Sequence, residues 1–401
     1  MKNSFNLLTA LAMILFASSL EAANPQIAEL RQVYDGTMLP GVEVATFSHA
    51  DALQPVRAVQ RGPNSHPLAK RSKPFPSIKF EAGGRHWDLY DYLAINRVAG
   101  LLILKDGEIA FEDYELGIGP ETRWISFSMA KSIASTLAGI AISDGSITSL
   151  DDEVVRYVPA LKGSAYDGVS VRQILTMSSG VRWDETYTDP KSDRRKVLEL
   201  QLAGKTGEVL HYMKSLPRAG KPGSVWNYST GETFVLGAVI EGATHRSLAK
   251  YLSEKIWIPA GMESDATWWA DGVDGLIWAG SGLEATLRDF GRFALIAADG
   301  GRLSGRDLVP QSWFMEAGAP REIGGKLVDY GYMWWIPPQS VPMHAGAFEA
   351  VGIFGQYMYI NPSEHLAIVV LSARSKPEDD LADVVADSFF ASVATALHQQ
   401  H

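Results

Sequence analysis

The stretch Trp124-Ile125-Ser126-Phe127-Ser128-Met129-Ala130-Lys131-Ser132 reads as an extended approach that turns at once into an apolar helix beginning near Ser128. Residues three apart on a helix share a face, so Ser128 Oγ and Lys131 Nζ come within hydrogen-bond reach. A hydroxyl then sits beside a candidate base. At a helix start the hydroxyl also lies next to unpaired N–H groups and the positive end of the helix dipole, which favour developing negative charge. Such an arrangement suits acyl transfer. A serine in this place is equally an ordinary cap on a helix whose lysine is solvated. The chain carries its own comparison in Ser247-Leu248-Ala249-Lys250, which has the same spacing. Ser247 opens an amphipathic stretch after Thr244-His245-Arg246, and capping accounts for it. Spacing alone does not separate the two readings, so the rest of the chain must.

Outward from this stretch, residues 98–104 form an apolar run that meets Lys105-Asp106-Gly107 and leaves through residues 108–114. Asp-Gly between two strand-like runs signals a hairpin. The serine helix continues through Ile133, Leu137 and Ile140 and stops at Asp144-Gly145. Residues 184–250 carry helical periodicities broken by Pro190, Pro217 and Pro222, and residues 143–279 read as an inserted, mostly helical part. Residues 283–298 look like another helix. Strands return at residues 353–360 and 366–371, separated by the turn Asn361-Pro362-Ser363-Glu364-His365. Residues 380–397 form a last amphipathic helix with Leu381, Val384, Val385, Phe389 and Val393 on one stripe. The order predicts an α/β fold of the α+β type: an antiparallel sheet (98–142 and 280–401) flanked by helices, with the helical insert between. Residues 24–97 are irregular, rich in Pro and Gly, and expected to wrap the main body.

The 401 residues are 46% hydrophobic, enough to bury one large core or two closely packed subdomains. A charge of −10 argues against a nucleic-acid partner and against an anionic membrane surface. There is no cysteine, which excludes disulfides, thiolate metal sites and cysteine nucleophiles. Lys2, the apolar run 7–20 and Glu21-Ala22-Ala23 have the form of a secretory signal over residues 1–23, predicting an exported, periplasmic or secreted protein with no stable membrane insertion. The nine histidines show no ligand spacing, so neither a metal nor a cofactor is expected. No Gly-x-Ser-x-Gly elbow, His-Glu-x-x-His or phosphate loop occurs.

Two further stretches can complete a site around Ser128. The loop Pro222-Gly223-Ser224-Val225-Trp226-Asn227-Tyr228-Ser229-Thr230-Gly231 can present Tyr228 outward, with Thr230 on the same side if the backbone is extended. A phenol relays a proton well when a nearby ammonium lowers its pKa. In Phe348-Glu349-Ala350-Val351-Gly352-Ile353-Phe354-Gly355-Gln356, the glycines suggest close approach of a ligand or backbone, and an edge strand there offers the Ile353 N–H as an oxyanion donor opposite the Ser128 N–H.

These parts, in this order, resemble the serine β-lactamase and D,D-peptidase superfamily over residues 95–375. The match is most similar to the branch of carboxylesterases and 6-aminohexanoate-oligomer hydrolases. Ser128-Met129-Ala130-Lys131 fits the first motif, and Tyr228-Ser229-Thr230 fits the Tyr-x-Asn position with Thr for Asn. Leu150-Asp151-Asp152, Tyr157-Val158-Pro159, Ile174-Leu175-Thr176-Met177-Ser178-Ser179-Gly180 and Gly282-Leu283-Glu284-Ala285-Thr286 support the alignment. The resemblance implies a β-lactamase/transpeptidase-like fold in which Ser128 attacks a carbonyl, Lys131 and Tyr228 relay its proton, and the N–H groups of Ser128 and Ile353 hold the oxyanion. A lysine base near neutrality requires its pKa to fall by roughly 3 units, about 4 kcal/mol.

The departures bear on substrate. The family's Lys-Thr-Gly aligns with Ala350-Val351-Gly352, which has neither cation nor hydroxyl; a rival alignment uses His344-Ala345-Gly346. Trp183-Asp184-Glu185-Thr186-Tyr187 looks like the cleft-bordering turn of the oligomer hydrolases, implying that Tyr187 contacts the scissile amide, with Thr230 and Gly352 also binding substrate. Trp334-Trp335 reads either as a wall for an acyl pocket or as core. The expectation is a serine hydrolase working through an acyl-enzyme on Ser128, taking small carboxylic esters or linear amides. A D,D-peptidase or weak β-lactamase is the alternative within the class, and a non-catalytic receptor of the same fold the alternative outside it.

Overall fold

A computed structural model describes residues 26–400 of the chain. The leader expected at residues 1–23 lies outside the described residues. The main sheet has five antiparallel strands in the order Phe348–Gly352, Gln356–Asn361, Leu366–Ser372, Val98–Lys105, Glu108–Tyr114. The hairpin signalled by Asp106-Gly107 forms at one edge, and the central strands register Ile103 against Ile368 and Ile360 against Ala367. All eight residues of Val98–Lys105 are buried, and residues 98–104 run continuously apolar rather than alternating. Alternation appears instead in the destination of the side chains. Leu102 and Leu104 join the core under the serine helix Met129–Ser143 and the helix Leu287–Ala298. Leu101 and Ile103 face the C-terminal helix Asp380–His398.

A second, four-stranded sheet runs Val56–Val59, Ala266–Trp269, Leu283–Thr286, Arg123–Ile125, and its last strand delivers the chain to Ser128. Between the sheets in sequence lie Asp193–Ala203, Glu208–Ser215, Thr230–Thr244 and Leu248–Leu252, the mostly helical part expected from periodicity.

Four expectations need correction. Residues 26–97 are not an irregular wrap: they supply the strand Val56–Val59, the hairpin Lys79–Ala82 with Arg85–Asp88, and three short α-helices. Residues 283–298 begin as a strand, because Leu283–Thr286 pairs on both sides, and turn helical only after Thr286 caps the helix by accepting from Asp289 N. Ile353 does not open a strand; Ile353-Phe354-Gly355 is the turn between Phe348–Gly352 and Gln356–Asn361. The last helix buries Val385, Phe389, Phe390, Val393 and Leu397, while Leu381 and Val384 stand 46% and 49% exposed, so its apolar stripe is rotated from the one read in sequence. This helix is long and apolar enough to cross a membrane by length and composition, and 44% of its apolar window is buried inside the protein, against the sheet and the N-terminal hairpin.

Phe389 joins these layers, stacking on Tyr92 with ring centroids 3.8 Å apart and 9° between planes. Phe389→Ala is expected to cost about 3–5 kcal/mol in urea unfolding, whereas Val384→Ala on the exposed side should stay within about 0.5 kcal/mol.

Candidate active site

The approach to Ser128 is tightly held. Ser126 N donates to Leu283 O at 2.7 Å, fixing the end of the strand. Phe127 then takes a left-handed conformation, φ 43°, which is unusual for a bulky aromatic. Its ring is gripped by Phe47 and Phe354 at 5.1 and 5.4 Å between centroids. The turn this forces starts the serine helix with Ser128 at its N-cap position, yet the Ser128 hydroxyl makes no cap hydrogen bond. Ser247 behaves differently: its Oγ accepts from Lys250 N, and the Lys250 side chain is 66% exposed. The two Ser-x-x-Lys segments are therefore physically distinct.

Lys131 is 1% exposed. Its Nζ donates to Ser128 Oγ at 2.8 Å and to Gly280 O at 3.0 Å. Burial pushes its pKa down to about 7; Glu185 opposes the fall and the buried Arg194 guanidinium adds to it. The unprotonated amine, the state a base requires, is thus accessible near neutrality. Lys131 Nζ also stands 5.0 Å from the centre of the Tyr228 ring, over its face. Tyr228 corrects one expectation. No ammonium lowers its pKa; burial first and then the Glu185 charge raise it above the ordinary phenol range, and only the Ser128 hydroxyl pulls the other way. The phenol therefore keeps its proton, and Lys131 is the group poised to accept one.

Opposite Ser128 runs the edge strand Phe348–Gly352. A Cβ at Gly352 would lie 2.5 Å from Ser126 O, so only glycine lets this strand approach the strand leading to the serine. The turn that follows is held by Phe354 at φ 63° and Gly355 at φ 83°. Among the described residues, neither the Ser128 N–H nor the Ile353 N–H has an acceptor within the protein. Both lie at the cleft that Ser128, Gly352 and Ile353 line. Val351 and Gly352 line it too, whereas His344 is fully buried and bonds Tyr359 through Nδ1 at 3.0 Å. The geometry thus puts Ala350-Val351-Gly352, not His344-Ala345-Gly346, along the site.

The cleft encloses about 840 Å³. Tyr187 and Trp335 line it, while Trp334 is wholly buried in the core, so the tryptophan pair divides between the two readings. Tyr187 is steadied from the N-terminal region: its ring stacks on Tyr34 at 6.1 Å and its carbonyl accepts from Arg195 at 2.9 Å, which also pairs with Asp35 at 2.5 Å. The structure does not bring Thr230 to the cleft. Thr230 is 2% exposed, begins the helix Thr230–Thr244, and gives both its N–H (2.8 Å) and its hydroxyl to Glu185.

Glu185 is the group that sequence reasoning missed. It lines the cleft, accepts from Trp183 Nε1 and from Thr230 at the start of the helix Thr230–Thr244, and sets the field on Lys131, Tyr187 and Tyr228. An acidic residue two positions before Tyr187 was the only signal, and spacing does not reveal which helix it clamps.

Comparison with known proteins agrees with this architecture. The 6-aminohexanoate-dimer hydrolase of Paenarthrobacter ureafaciens is 29% identical over 351 residues, 83% of this chain and 86% of that protein. A Bacillus anthracis structure provisionally assigned as a 6-aminohexanoate-dimer hydrolase superposes with a TM-score of 0.78 at 23% identity, covering 90% of this chain and 95% of that one. EstCE1, a hydrolase with promiscuous acyltransferase activity, superposes with a TM-score of 0.61 at 15% identity over 77% and 96% of the two chains; both structural likenesses bear on the fold. The beta-lactamase family matches residues 94–388, and the chain belongs to that family.

Proposed function

We propose that the protein is a serine hydrolase that cleaves small carboxylic esters or linear amides through an acyl-enzyme on Ser128. The observation that carries this is the 2.8 Å contact between Ser128 Oγ and a buried Lys131 whose pKa is pushed down to about 7. Ser128 Oγ attacks the carbonyl carbon while its proton passes to Lys131 Nζ. The oxyanion accepts from the Ser128 and Ile353 N–H groups; losing one such donor typically costs about 2.7–4 kcal/mol of barrier. When the carbon–heteroatom bond breaks, Tyr228 gives its proton to the leaving group and regains one from the Lys131 ammonium. Water then attacks the acyl-enzyme, its proton returning through Lys131 to Ser128 as the acid leaves. Tyr187 borders the bond that breaks, and the leader-like residues 1–23 support action outside the cytoplasm.

A fluorophosphonate probe is expected to label the wild-type protein and Ser247→Ala alike, and to leave Ser128→Ala unlabelled; labelling that survives Ser128→Ala refutes the reading. With p-nitrophenyl esters, kcat/KM should rise with pH to a plateau with a midpoint about 7, because Lys131 works as a base only when unprotonated. Glu185 holds the Lys131 pKa up, so Glu185→Gln should move that midpoint to lower pH. Val351 offers neither hydroxyl nor cation on the edge strand, so labelled penicillin is expected to leave Ser128 unacylated at concentrations where esters turn over; stable acylation would favour a peptidase or β-lactamase instead.

A further inference from the structure

A second recess meets the cleft at one of its walls, since Trp335 and Ile336 line both. It encloses about 550 Å³ between the loop that carries Tyr228 and the hairpin of Arg321–Ile323 with Lys326–Val328. Val225, Trp226, Ile323, Leu327, Val328 and Trp335 give it apolar walls, and the two charged residues that line it, Lys326 and Asp329, are both exposed. The walls are fixed. Asn227 N donates to Met177 O at 2.8 Å and Asn227 Nδ2 to Trp183 O at 3.0 Å, which holds the loop. Trp335 exchanges both backbone hydrogen bonds with Glu349 at 2.9 Å, and the Tyr330 ring packs against its indole with centroids 4.8 Å apart and 79° between planes. The hairpin tip presses on the loop so closely that a Cβ at Gly324 would lie 1.9 Å from Ser224 O. Even so, Leu327 and Val225 stand 72% and 56% exposed. Single exposed apolar side chains are ordinary, but two that flank a rigid apolar recess beside a candidate nucleophile supply what a ligand-binding wall needs.

We propose that this recess takes the alcohol or amine portion of the substrate, as an uncharged aryl or alkyl group. The inference rests on the hydrolase reading and deepens it. The side of the scissile bond follows from Trp226, two residues before Tyr228, whose ring centroid is 6.5 Å from that of Tyr228 and 6.0 Å from that of Trp335. Tyr228 is the group that protonates the leaving heteroatom, so a substituent on that heteroatom departs past the phenol, towards Trp226 and Trp335. The volume is several times the roughly 150 Å³ that accommodates benzene, which leaves room for a benzyl group or a chain of about six carbons. A charged group fits poorly. An ammonium or carboxylate would give up its water among apolar walls, and Lys326 and Asp329 both stand in solvent, where neither replaces that water from within.

The test compares kcat/KM for methyl butanoate, benzyl butanoate and methyl 4-phenylbutanoate, which place the aryl group on neither side, on the alcohol side and on the acyl side of the bond. Benzyl butanoate should be preferred over methyl butanoate by about tenfold or more, through KM rather than kcat. Trp226→Ala, and Val225→Gln combined with Leu327→Gln, each checked for an unchanged thermal melt, should bring that ratio towards one and leave the ratio of methyl 4-phenylbutanoate to methyl butanoate where it was. Calorimetric titration of the Ser128→Ala protein should show benzyl butanoate binding about tenfold more tightly than methyl butanoate. No preference for the benzyl ester, a preference that survives both sets of substitutions, or substitutions that act on the acyl-side ester instead, overturns the proposal. Tighter binding of benzyl butanoate to the Ser128→Ala protein, lost with the recess substitutions, but with no Ser128-dependent hydrolysis of any of the three esters, would overturn the hydrolase reading and leave the recess as a binding site.

Discussion

The structure depends on keeping one amine dry. Lys131 would be protonated in water, and its fall to about 7 comes from burial first. That burial is a property of the assembly: the serine helix lies between the main sheet and the helix Thr230–Thr244, Gly280 O caps the amine from below, and the Tyr228 ring covers it. Desolvating an amine is costly, and the fold tolerates the cost because Ser128 Oγ and Gly280 O together satisfy the nitrogen. Glu185 sets the limit of the effect from the far side, and Arg194, stacked over Tyr34 at 4.2 Å, supplies the opposing charge.

A second constraint aligns the two unspent N–H groups. Phe127 and Phe354 both adopt left-handed backbone conformations, one immediately before Ser128 and the other immediately after Ile353. Each such residue costs on the order of 1–3 kcal/mol unless its surroundings impose it. Phe47, from the N-terminal region, contacts both rings at 5.1 Å, so one side chain from outside the family-matched region braces the two turns that aim the donors. The N-terminal residues thus help to build the site through Phe47, and through Tyr34 beneath Tyr187.

Much of this was legible in sequence where one residue type has few physical uses. Asp106-Gly107 marked its hairpin, the apolar run 98–104 its central strand, and Ser128 with Lys131 their shared helix face. What failed did so for tertiary reasons. Leu283 to Thr286 has no intrinsic mark of a strand; it becomes one because two neighbours pair with it. Thr230 was placed by assuming an extended backbone, but Ser229 caps a helix there and turns the threonine towards Glu185. Tyr228 was expected to titrate lower beside a cation, whereas burial of both partners favours the neutral form of each.

The strand pairings also govern when the protein can fold. Val98–Lys105 finds its inner partner only in Leu366–Ser372, and Val56–Val59 finds its own only in Ala266–Trp269. Neither sheet can close on a growing chain until the residues that complete it have been made. Pairings so distant in sequence pay loop-closure entropy before any packing rewards it, which slows folding and leaves strand edges bare meanwhile. Synthesis therefore runs nearly to the C-terminus before either sheet can take its full set of strands.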